Sequence, residues 1–406
     1  MTSAVIHGEG LHKPPALNLS GRIPELDGIR GIAIGLVLLA HFFEVVVRPG
    51  SPLAYAFVPL RLTWTGVDLF FVLSGFLIGG ILLDARQSSN YFRVFYTRRF
   101  FRIVPIYALL LASVALAVYF SRAGFIAKNE QILVGALPWP PFVLFLQNFA
   151  MSLRGSWGIF PLGVTWSLAV EEQFYLTLPL LVRFLDRRSL LRFIFIAVVA
   201  APLLRAFFFH HNHANIFPWY TLMPCRADSL LLGVLGALAL RDPLSRAWLL
   251  AHRRLLSFAL YFLVAGVILL GWRSPSPYQP FMATVGFTWL ALTYLLFLLY
   301  ALLFPSVWFS RCLRWGWLRG LGLIAYGTYL FHEFFLGMFF GRLPFIKSWR
   351  DLAVSIFTLA FTLLFCRLSW LYFEKPLVKI GHRASYQFAV PGPADSAPSA
   401  TELARP

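Results

Sequence analysis

Charged side chains are scarce in this sequence: they make up 13% of its 406 residues, whereas 59% are hydrophobic. A soluble domain carries about 25% charged residues, so the composition excludes a soluble globular protein and indicates a polytopic membrane protein. Acidic residues are especially few, with 17 Asp and Glu against 35 Lys and Arg. Because the basic residues lie between apolar segments, we interpret their excess as a signal of membrane orientation and expect no nucleic-acid partner.

Cysteine is also rare, which argues against both a disulfide framework and a zinc site built from cysteines. The three cysteines are far apart: Cys225, Cys312 and Cys366. This spacing fits neither a disulfide framework nor a cysteine-based zinc site. The sequence HHNH at residues 210–213 has no cysteine or carboxylate beside it. We therefore expect an exposed or substrate-facing loop there, and no metal site in the chain.

What the chain has instead is a series of apolar segments of membrane-spanning length. About 20 apolar residues in a helix cross a hydrocarbon core of about 30 Å. We predict an all-α membrane protein with about ten transmembrane helices. They are placed near residues 28–47, 64–83, 103–121, 166–185, 191–209, 226–240, 255–272, 284–304, 321–341 and 351–373.

Lys and Arg concentrate in alternate connecting segments, which predicts the orientation of these helices. Both termini are then cytoplasmic. The segment 132–151 is apolar but is broken by Pro138, Pro140 and Pro141. Counting it as a span would place the later basic clusters outside, so we predict a re-entrant or interfacial element there.

The same patterns divide the chain into three parts. We predict a cytoplasmic N-terminal segment at 1–24 and one transmembrane domain at 25–378. The remainder, 379–406, ends in small, polar and Pro-rich sequence. Such a composition cannot bury enough apolar surface to fold, so we predict a disordered cytoplasmic tail.

The first predicted helix carries Arg30 and, eleven positions later, His41. At about 100° per residue, eleven positions make three turns plus about 20°, so both side chains share one face, about 16 Å apart along the axis. We expect His41 to lie about halfway into the membrane, where an imidazole is a candidate for proton transfer. The alternative is an interfacial anchoring Arg and a His satisfied by a neighbouring helix.

Arginines also stand at the expected start of the third helix, in the sequence RRFFRIVP at 98–105. Arg99 and Arg102 are three positions apart and so share a face. Arginines at a helix N-terminus oppose the helix dipole unless an anion binds there, which predicts a cytoplasmic clamp for a phosphorylated ligand. Alternatively, these basic residues only fix the orientation of the helix.

Carboxylates enter the apolar region in the fourth span, whose sequence TWSLAVEEQFY covers residues 165–175. Glu171 and Glu172 cannot both face lipid, so at least one of them points into the helix bundle. Together with Tyr175 they predict a polar cavity. The alternative is a charged anchor at the level of the lipid headgroups.

Further polar residues are expected near the outer ends of two helices and in the middle of a third. Asp68 begins the second helix, and Arg226 and Asp228 begin the sixth, where we predict that they are partners in a site or in an internal salt bridge. His332 and Glu333 lie in the middle of the ninth span.

Seven sequence segments, in this order, resemble acyltransferase family 3 of membrane proteins, and together they cover nearly all of residues 22–378. Any one of them alone is weak evidence, but all seven in order are strong. One departure is that Glu333 and Phe334 follow His332, where relatives often have an aromatic residue and Pro. The segments are Arg30 with His41, GVDLFFVLSGFLI at 66–78, RRFFRIVP at 98–105, TWSLAVEEQFY at 165–175, RADSLLLG at 226–233, YGTYLFH at 326–332 and YFEKP at 372–376.

The resemblance implies an integral enzyme of the bacterial inner membrane that moves an acyl group, usually acetyl, from cytoplasmic acyl-CoA to a hydroxyl of a carbohydrate or another small molecule. No permanently bound cofactor is implied. The predicted site consists of catalytic His41 and Glu171, of Arg30, Arg99 and Arg102 for CoA, and of Asp68, Glu172, Tyr175, Arg226, Asp228 and His332 for the substrates.

Two other classes stay open on the sequence alone. A transporter or exporter of a polar or anionic solute also needs charges inside the membrane, but it has no need for the paired arginines. A membrane sensor or scaffold is the third class.

Overall fold

The structure is a computed structural model that describes residues 23–43, 58–122, 137–273, 276–341, 346 and 348–388. Within these ranges all regular structure is helical, which confirms the all-α prediction. Ten long helices follow one another, numbered here in chain order. They are α1 Pro24–Phe43, α2 Gly66–Ala85, α3 Tyr91–Arg122, α4 Thr165–Phe184, α5 Arg187–His211, α6 Met223–Arg241, α7 Arg253–Arg273, α8 Phe287–Leu303, α9 Ala325–Phe340 and α10 Trp349–Ser369.

Shorter helical turns connect or extend these ten helices. Two of them, at Met282–Gly286 and Trp370–Glu374, are π-helical turns that continue into the next helix. The others are Val58–Thr65, Trp139–Val143, Gln147–Arg154, Phe160–Leu162, Phe217–Thr221, Pro243–Ala251, Trp308–Leu313, Gly316–Leu323 and Lys375–His382.

Eight helices in the described part of the chain are long and apolar enough to cross a membrane. A ninth span arises if Gly316–Leu323 and α9, which meet at a 70° bend, are counted together. Helix α4 is not among the eight, although its 20 residues match a membrane in length, because Glu171 and Glu172 lie within it. All ten predicted spans therefore correspond to a helix, and the chain is an integral membrane protein.

Burial divides the spans into an inner and an outer set. Helices α2 and α8 bury 67% of their most apolar stretch, whereas α5, α7 and α10 bury 22%. The outer helices therefore present apolar faces to lipid, and the inner helices enclose the polar residues. Helices α2 and α6 approach most closely: a Cβ at Gly75 would lie 1.8 Å from the carbonyl oxygen of Leu230. Only glycine allows that approach.

The described part of the segment 132–151 contains no helix long enough to cross a membrane. Its residues from 137 onward form a five-residue helix, Trp139–Val143, and the start of the eight-residue helix Gln147–Arg154. At about 1.5 Å per residue neither reaches across a bilayer, in line with the predicted re-entrant or interfacial element. Gln147 and Asn148 are fully buried and donate hydrogen bonds to the carbonyls of Thr165 and Thr221, so this element packs into the helix bundle.

The chain after Lys375–His382 is held against the start of α3. We call residues 383–388 the C-terminal strap. The Arg98 guanidinium donates two hydrogen bonds to the carbonyl of Ala384, at 3.0 and 2.7 Å, and the Asn90 amide donates one to Ser385. The first residues of the predicted disordered tail thus have a defined place. The rest of it, 389–406, lies outside the described residues.

Two expectations about helix ends need correction. Helix α1 begins at Pro24, four residues earlier than predicted, so His41 lies in its last described turn rather than near its middle. Helix α3 begins at Tyr91, because the basic segment continues the apolar span as regular helix. The sidedness of the termini stays a prediction, since 1–22 and 389–406 lie outside the described residues.

Candidate active site

A cavity opens between α1, α2, α3, α4 and α9, and we call it the arginine cavity. It encloses about 1030 Å³ of empty space, its open mouth included. Arg30 reaches it from the start of α1, and Arg99 and Arg102 reach it from α3. The structure therefore brings together the three arginines predicted to bind CoA, from two helices that are not consecutive in the chain. Aromatic rings of Phe70 and Tyr326 line the same space.

The three arginines leave the cavity with an excess of positive charge. Arg30 donates to the carboxylate of Asp27 at 3.2 Å, one helical turn earlier. The Nε of Arg99 is buried and has no hydrogen-bond partner in the described structure. Arg99 lies eight residues inside α3 and not at its N-terminus. The expectation that the helix dipole opposes these arginines until an anion binds is therefore wrong. The positive charge of the cavity comes instead from the converging guanidinium groups.

Glu171 and Tyr175 face the arginines across the cavity. Both line it, together with Ser74, whose Oγ lies 2.6 Å from the Tyr175 hydroxyl. Glu172 is next to Glu171 but is not among the lining residues, and its buried Oε1 has no partner in the described structure. Glu171 and Tyr175 thus form a polar wall in an otherwise apolar bundle, as predicted. Glu172 was predicted to share this cavity but does not line it.

His41 does not line the arginine cavity. It packs against α9, where its Nε2 lies 3.6 Å from the Glu333 Oε1 and its ring lies 4.8 Å from that of His332. We call His41, His332 and Glu333 the histidine cluster. His332 is fully buried, and 22% of the His41 side chain is exposed. The carboxylate that contacts His41 is therefore Glu333, whereas Glu171 lies in the wall of the arginine cavity.

Tyr329 connects the two sites. Its side chain lines the arginine cavity, while its ring lies 5.8 Å from the ring of His332 on the same helix. Its hydroxyl lies 2.6 Å from Ser167 Oγ and donates to the carbonyl of Val164 at 3.1 Å. Tyr329 therefore lies between the arginine cavity and the histidine cluster.

The remaining predicted site residues form a separate buried network. Arg226 pairs with Asp68 across the α2–α6 interface, and both side chains are 1% exposed. Asp228 instead pairs with Arg205 of α5 at 2.9 Å and accepts a hydrogen bond from Thr288 at 2.6 Å. Arg226 and Asp228 therefore each form an internal salt bridge, which is one of the predicted alternatives, but they do not pair with each other. None of Asp68, Arg226 and Asp228 lines the arginine cavity.

Sequence reasoning omitted three residues from the site that the geometry includes. Glu333 had a visible signal, because a carboxylate inside an apolar span directly follows His332. Tyr329 and Ser74 each lie inside a segment that carries the family resemblance, but tyrosine and serine are ordinary residues in such spans, so nothing singled them out within it. Histidines 210, 211 and 213 are exposed and pack on Phe207 and Phe209 rather than converging.

The sequence of this chain matches a known protein family and several named relatives. The sequence profile of the family described as "Acyltransferase domain" matches residues 23–372. Peptidoglycan O-acetyltransferase OatA of Listeria monocytogenes is 28% identical over 374 residues, covering 88% of this chain and 56% of that protein. A Bacillus subtilis protein, YrhL, whose name assigns it to peptidoglycan O-acetylation, is 29% identical over 335 residues, covering 76% and 48%.

A Staphylococcus aureus protein named among the O-acetyltransferases is 25% identical over 380 residues, covering 89% of this chain and 58% of that protein. The chain thus spans about half the length of the curated relatives it matches. No solved structure matches it. Since the family profile covers most of the chain, including both the arginine cavity and the histidine cluster, the chain belongs to acyltransferase family 3, and residues 23–372 form its acyltransferase domain.

Proposed function

We propose that this protein is a membrane-embedded O-acetyltransferase that moves an acetyl group from acetyl-CoA to a hydroxyl group of a carbohydrate acceptor. The observation that carries the proposal is that Tyr329 lines the cavity of the three arginines and also contacts His332 of the histidine cluster. The family supports the reaction class, and the names of the relatives support O-acetylation and a peptidoglycan-like acceptor.

The arginine cavity is the proposed donor site. Arg30, Arg99 and Arg102 would neutralise the phosphates of CoA, because guanidinium groups bind phosphate through charge-assisted hydrogen bonds. The pantetheine arm would then run along α1 past Tyr329 to His41. The eleven positions from Arg30 to His41 correspond to about 16 Å of helix. Under the predicted orientation, this donor site opens to the cytoplasm.

His41 is the proposed general base. Its Nδ1 lies 2.8 Å from the carbonyl of Val37, and since a carbonyl only accepts, Nδ1 carries the proton and Nε2 has the free lone pair. Nε2 takes the proton of the acceptor hydroxyl as the oxygen attacks the thioester carbonyl. The carbon–sulfur bond then breaks, and the thiolate recovers the proton from His41 to leave as free CoA. Brief transfer of the acetyl group to Nε2 itself is the other route.

Glu171 and Tyr175 have a different proposed role from that of His41. They line the arginine cavity rather than the histidine cluster, so they contact the donor or the acceptor near Ser74. The buried pairs around Asp68 and Asp228 support this wall by fixing α2, α5 and α6. Their contribution to acceptor binding, and that of Glu172, stays a prediction.

Release of free thiol from acetyl-CoA tests the proposal. Purified protein with peptidoglycan fragments or other candidate carbohydrates should release thiol and yield an acetyl ester. His41→Ala should lower this rate by about 100-fold or more, because general base catalysis contributes about 10²–10⁴-fold. His252→Ala, which removes an exposed histidine stacked on Trp248, is the matched control.

The competing assignment is a transporter of a polar solute. It predicts solute flux across vesicles and no release of thiol from acetyl-CoA, with His41 or with Ala at that position. A folded His41→Ala variant that transfers acetyl groups at the normal rate would rule out the proposed role of His41.

A further inference from the structure

In the histidine cluster, three side chains that can donate a lone pair to a metal ion lie close to one another. The Nδ1 of His332 lies 2.7 Å from the carbonyl of Tyr329, and the Nδ1 of His41 has the same kind of contact with the carbonyl of Val37. In each neutral ring the proton is therefore on Nδ1, and Nε2 has a free lone pair. The Nε2 of His332 is fully buried and has no hydrogen-bond partner in the described structure. The third donor is the carboxylate of Glu333.

This arrangement lacks a positive partner. No lysine or arginine pairs with Glu333 in the part of the chain that the structure describes, and its side chain is only 9% exposed. With both imidazoles neutral, ionisation of Glu333 would place an uncompensated negative charge in a buried position. Such a charge is costly unless a cation accompanies it.

We propose that His41, His332 and Glu333 form a binding site for Zn²⁺. Two imidazoles and one carboxylate are a ligand set that zinc accepts with its fourth position open. The hydrogen bond from each Nδ1 to a backbone carbonyl is the arrangement that fixes the tautomer of a metal-binding histidine and holds its ring in place. Mg²⁺ and Ca²⁺ prefer oxygen ligands and do not suit two imidazoles.

The distances fit an ion after a small contraction. The candidate ligand atoms of the three residues all lie within 4.8 Å of one another. In a tetrahedral zinc site, ligand atoms at about 2.1 Å from the metal are about 3.4 Å apart. His41 and Glu333, at 3.6 Å, nearly have this separation already, so His332 makes most of the adjustment. The partial exposure of His41 gives an ion a way in.

Zinc at this site has a definite consequence for the proposed reaction. The lone pair of His41 Nε2 would be bound to the metal and could not take the proton of the acceptor, so Zn²⁺ should inhibit acetyl transfer. This consequence rests on the proposed function, whereas zinc binding itself does not. Binding and activity are therefore measured separately.

The binding experiment uses the full chain in detergent, without a polyhistidine tag, in a background variant that lacks the exposed histidines (H210A, H211A and H213A). Zn²⁺ affinity is measured by competition with a chromogenic chelator, and Co²⁺ serves as a spectroscopic probe of ligand geometry. We expect one Zn²⁺ per chain and Co²⁺ absorption bands typical of tetrahedral coordination. Mg²⁺ at the same concentration should not compete.

Two substitutions test the ligands. His332→Ala and Glu333→Gln should each lower Zn²⁺ affinity by more than about tenfold, since even the loss of an outer-sphere partner costs about 10–100-fold. His252→Ala should leave it unchanged. Glu333→Gln keeps the size of the side chain, so it stays informative if His332→Ala fails to fold, which thermal unfolding will reveal.

The outcomes separate the two proposals. Zn²⁺ binding that is absent, or that both cluster variants retain in full, overturns the zinc site. Zinc bound at the cluster without inhibition of acetyl transfer leaves the site standing and contradicts the role of His41 as base. A chain without transferase activity that still binds Zn²⁺ through the cluster refutes only the proposed function.

Discussion

At the scale of single residues, the arginine cavity brings three positive charges close together inside an apolar helix bundle. Arg99 has a buried Nε without a partner in the described structure, which is costly until an anion fills the space before it. Arg30 is already paired with Asp27. Arg99 and Arg102 are therefore the groups with the most to gain from a bound phosphate.

Arg99→Ala should raise the KM for acetyl-CoA by about 10-fold or more, because a hydrogen bond to a charged group contributes about 1.5–3 kcal/mol. The value of kcat should change less, since the phosphates do not react and their binding is shared by ground and transition state. Steady-state kinetics at several acetyl-CoA concentrations measures both. Arg93→Ala, at an exposed position nearer the start of α3, should change neither. Equal KM values for the two variants would contradict the donor site.

Residue spacing predicted correctly that two side chains of one helix reach the polar interior, but it did not predict which residues form salt bridges. Arg30 and His41 were placed on one face of α1 by their separation, and each does reach the polar interior. Arg226 and Asp228 are only two positions apart, so on a helix they point to nearly opposite sides and cannot face each other. The spacing itself thus excluded their pairing. Their actual partners, Asp68 and Arg205, come from other helices and carry no local signal.

At the scale of helices, the α2–α6 contact holds the cavity wall in place. Gly75 and Gly233 let the two backbones touch, and the buried pair of Asp68 with Arg226 locks their relative position. Ser74, next to Gly75, is one of the cavity-lining residues. A change in the distance between these helices therefore moves the polar wall.

Gly75→Ala should destabilise the protein, because its Cβ would lie 1.8 Å from a backbone oxygen that cannot rotate away. Overpacking of this kind costs about 1–3 kcal/mol, which thermal unfolding in detergent can detect. Gly320→Ala is the matched control: a Cβ there would meet no described atom of a neighbouring element within 4 Å, so that variant should be neutral or slightly stabilised. An unchanged midpoint for Gly75→Ala would show that α2 and α6 can separate freely.

Hydropathy predicted that each helix exists but not where the helices end. The third span was placed at 103–121, whereas α3 also includes the basic residues from Tyr91 onward. An apolar window stops where charge begins, but a helix continues as long as its hydrogen bonds and packing allow. The strap supplies such packing at this end of α3. That contact comes from the far end of the chain and is invisible to a local window.

At the scale of the whole molecule, the site depends on chain segments that are distant in sequence. The histidine cluster requires α9 to lie beside α1, and nothing in the sequence of either helix specifies that neighbour. The family resemblance supplied the site residues on α1, α3 and α4. It did not supply Glu333, because that residue departs from the pattern that relatives often show.

The strap makes a prediction at this scale. Deletion of residues 383–406 should raise the KM for acetyl-CoA, because Arg98 loses both hydrogen bonds to Ala384 and the start of α3 is released. Hydrogen exchange should rise over residues 91–98 in the same variant. Deletion of residues 389–406 alone keeps the strap and should change neither quantity. Identical kinetics for the two deletions would show that the strap does not position the arginines.

The position of the strap also has a consequence for how the protein is made. Ribosomes deliver α3 long before residues 383–388, so a nascent chain can insert its first helices without fixing the start of α3. Hydrogen bonds join Ser89, Asn90 and Arg98 to the strap across most of the length of the chain. The start of α3, next to the arginine cavity, therefore gains these contacts only after α10 and the strap have been translated. Until that moment Arg98 lacks both hydrogen bonds to Ala384.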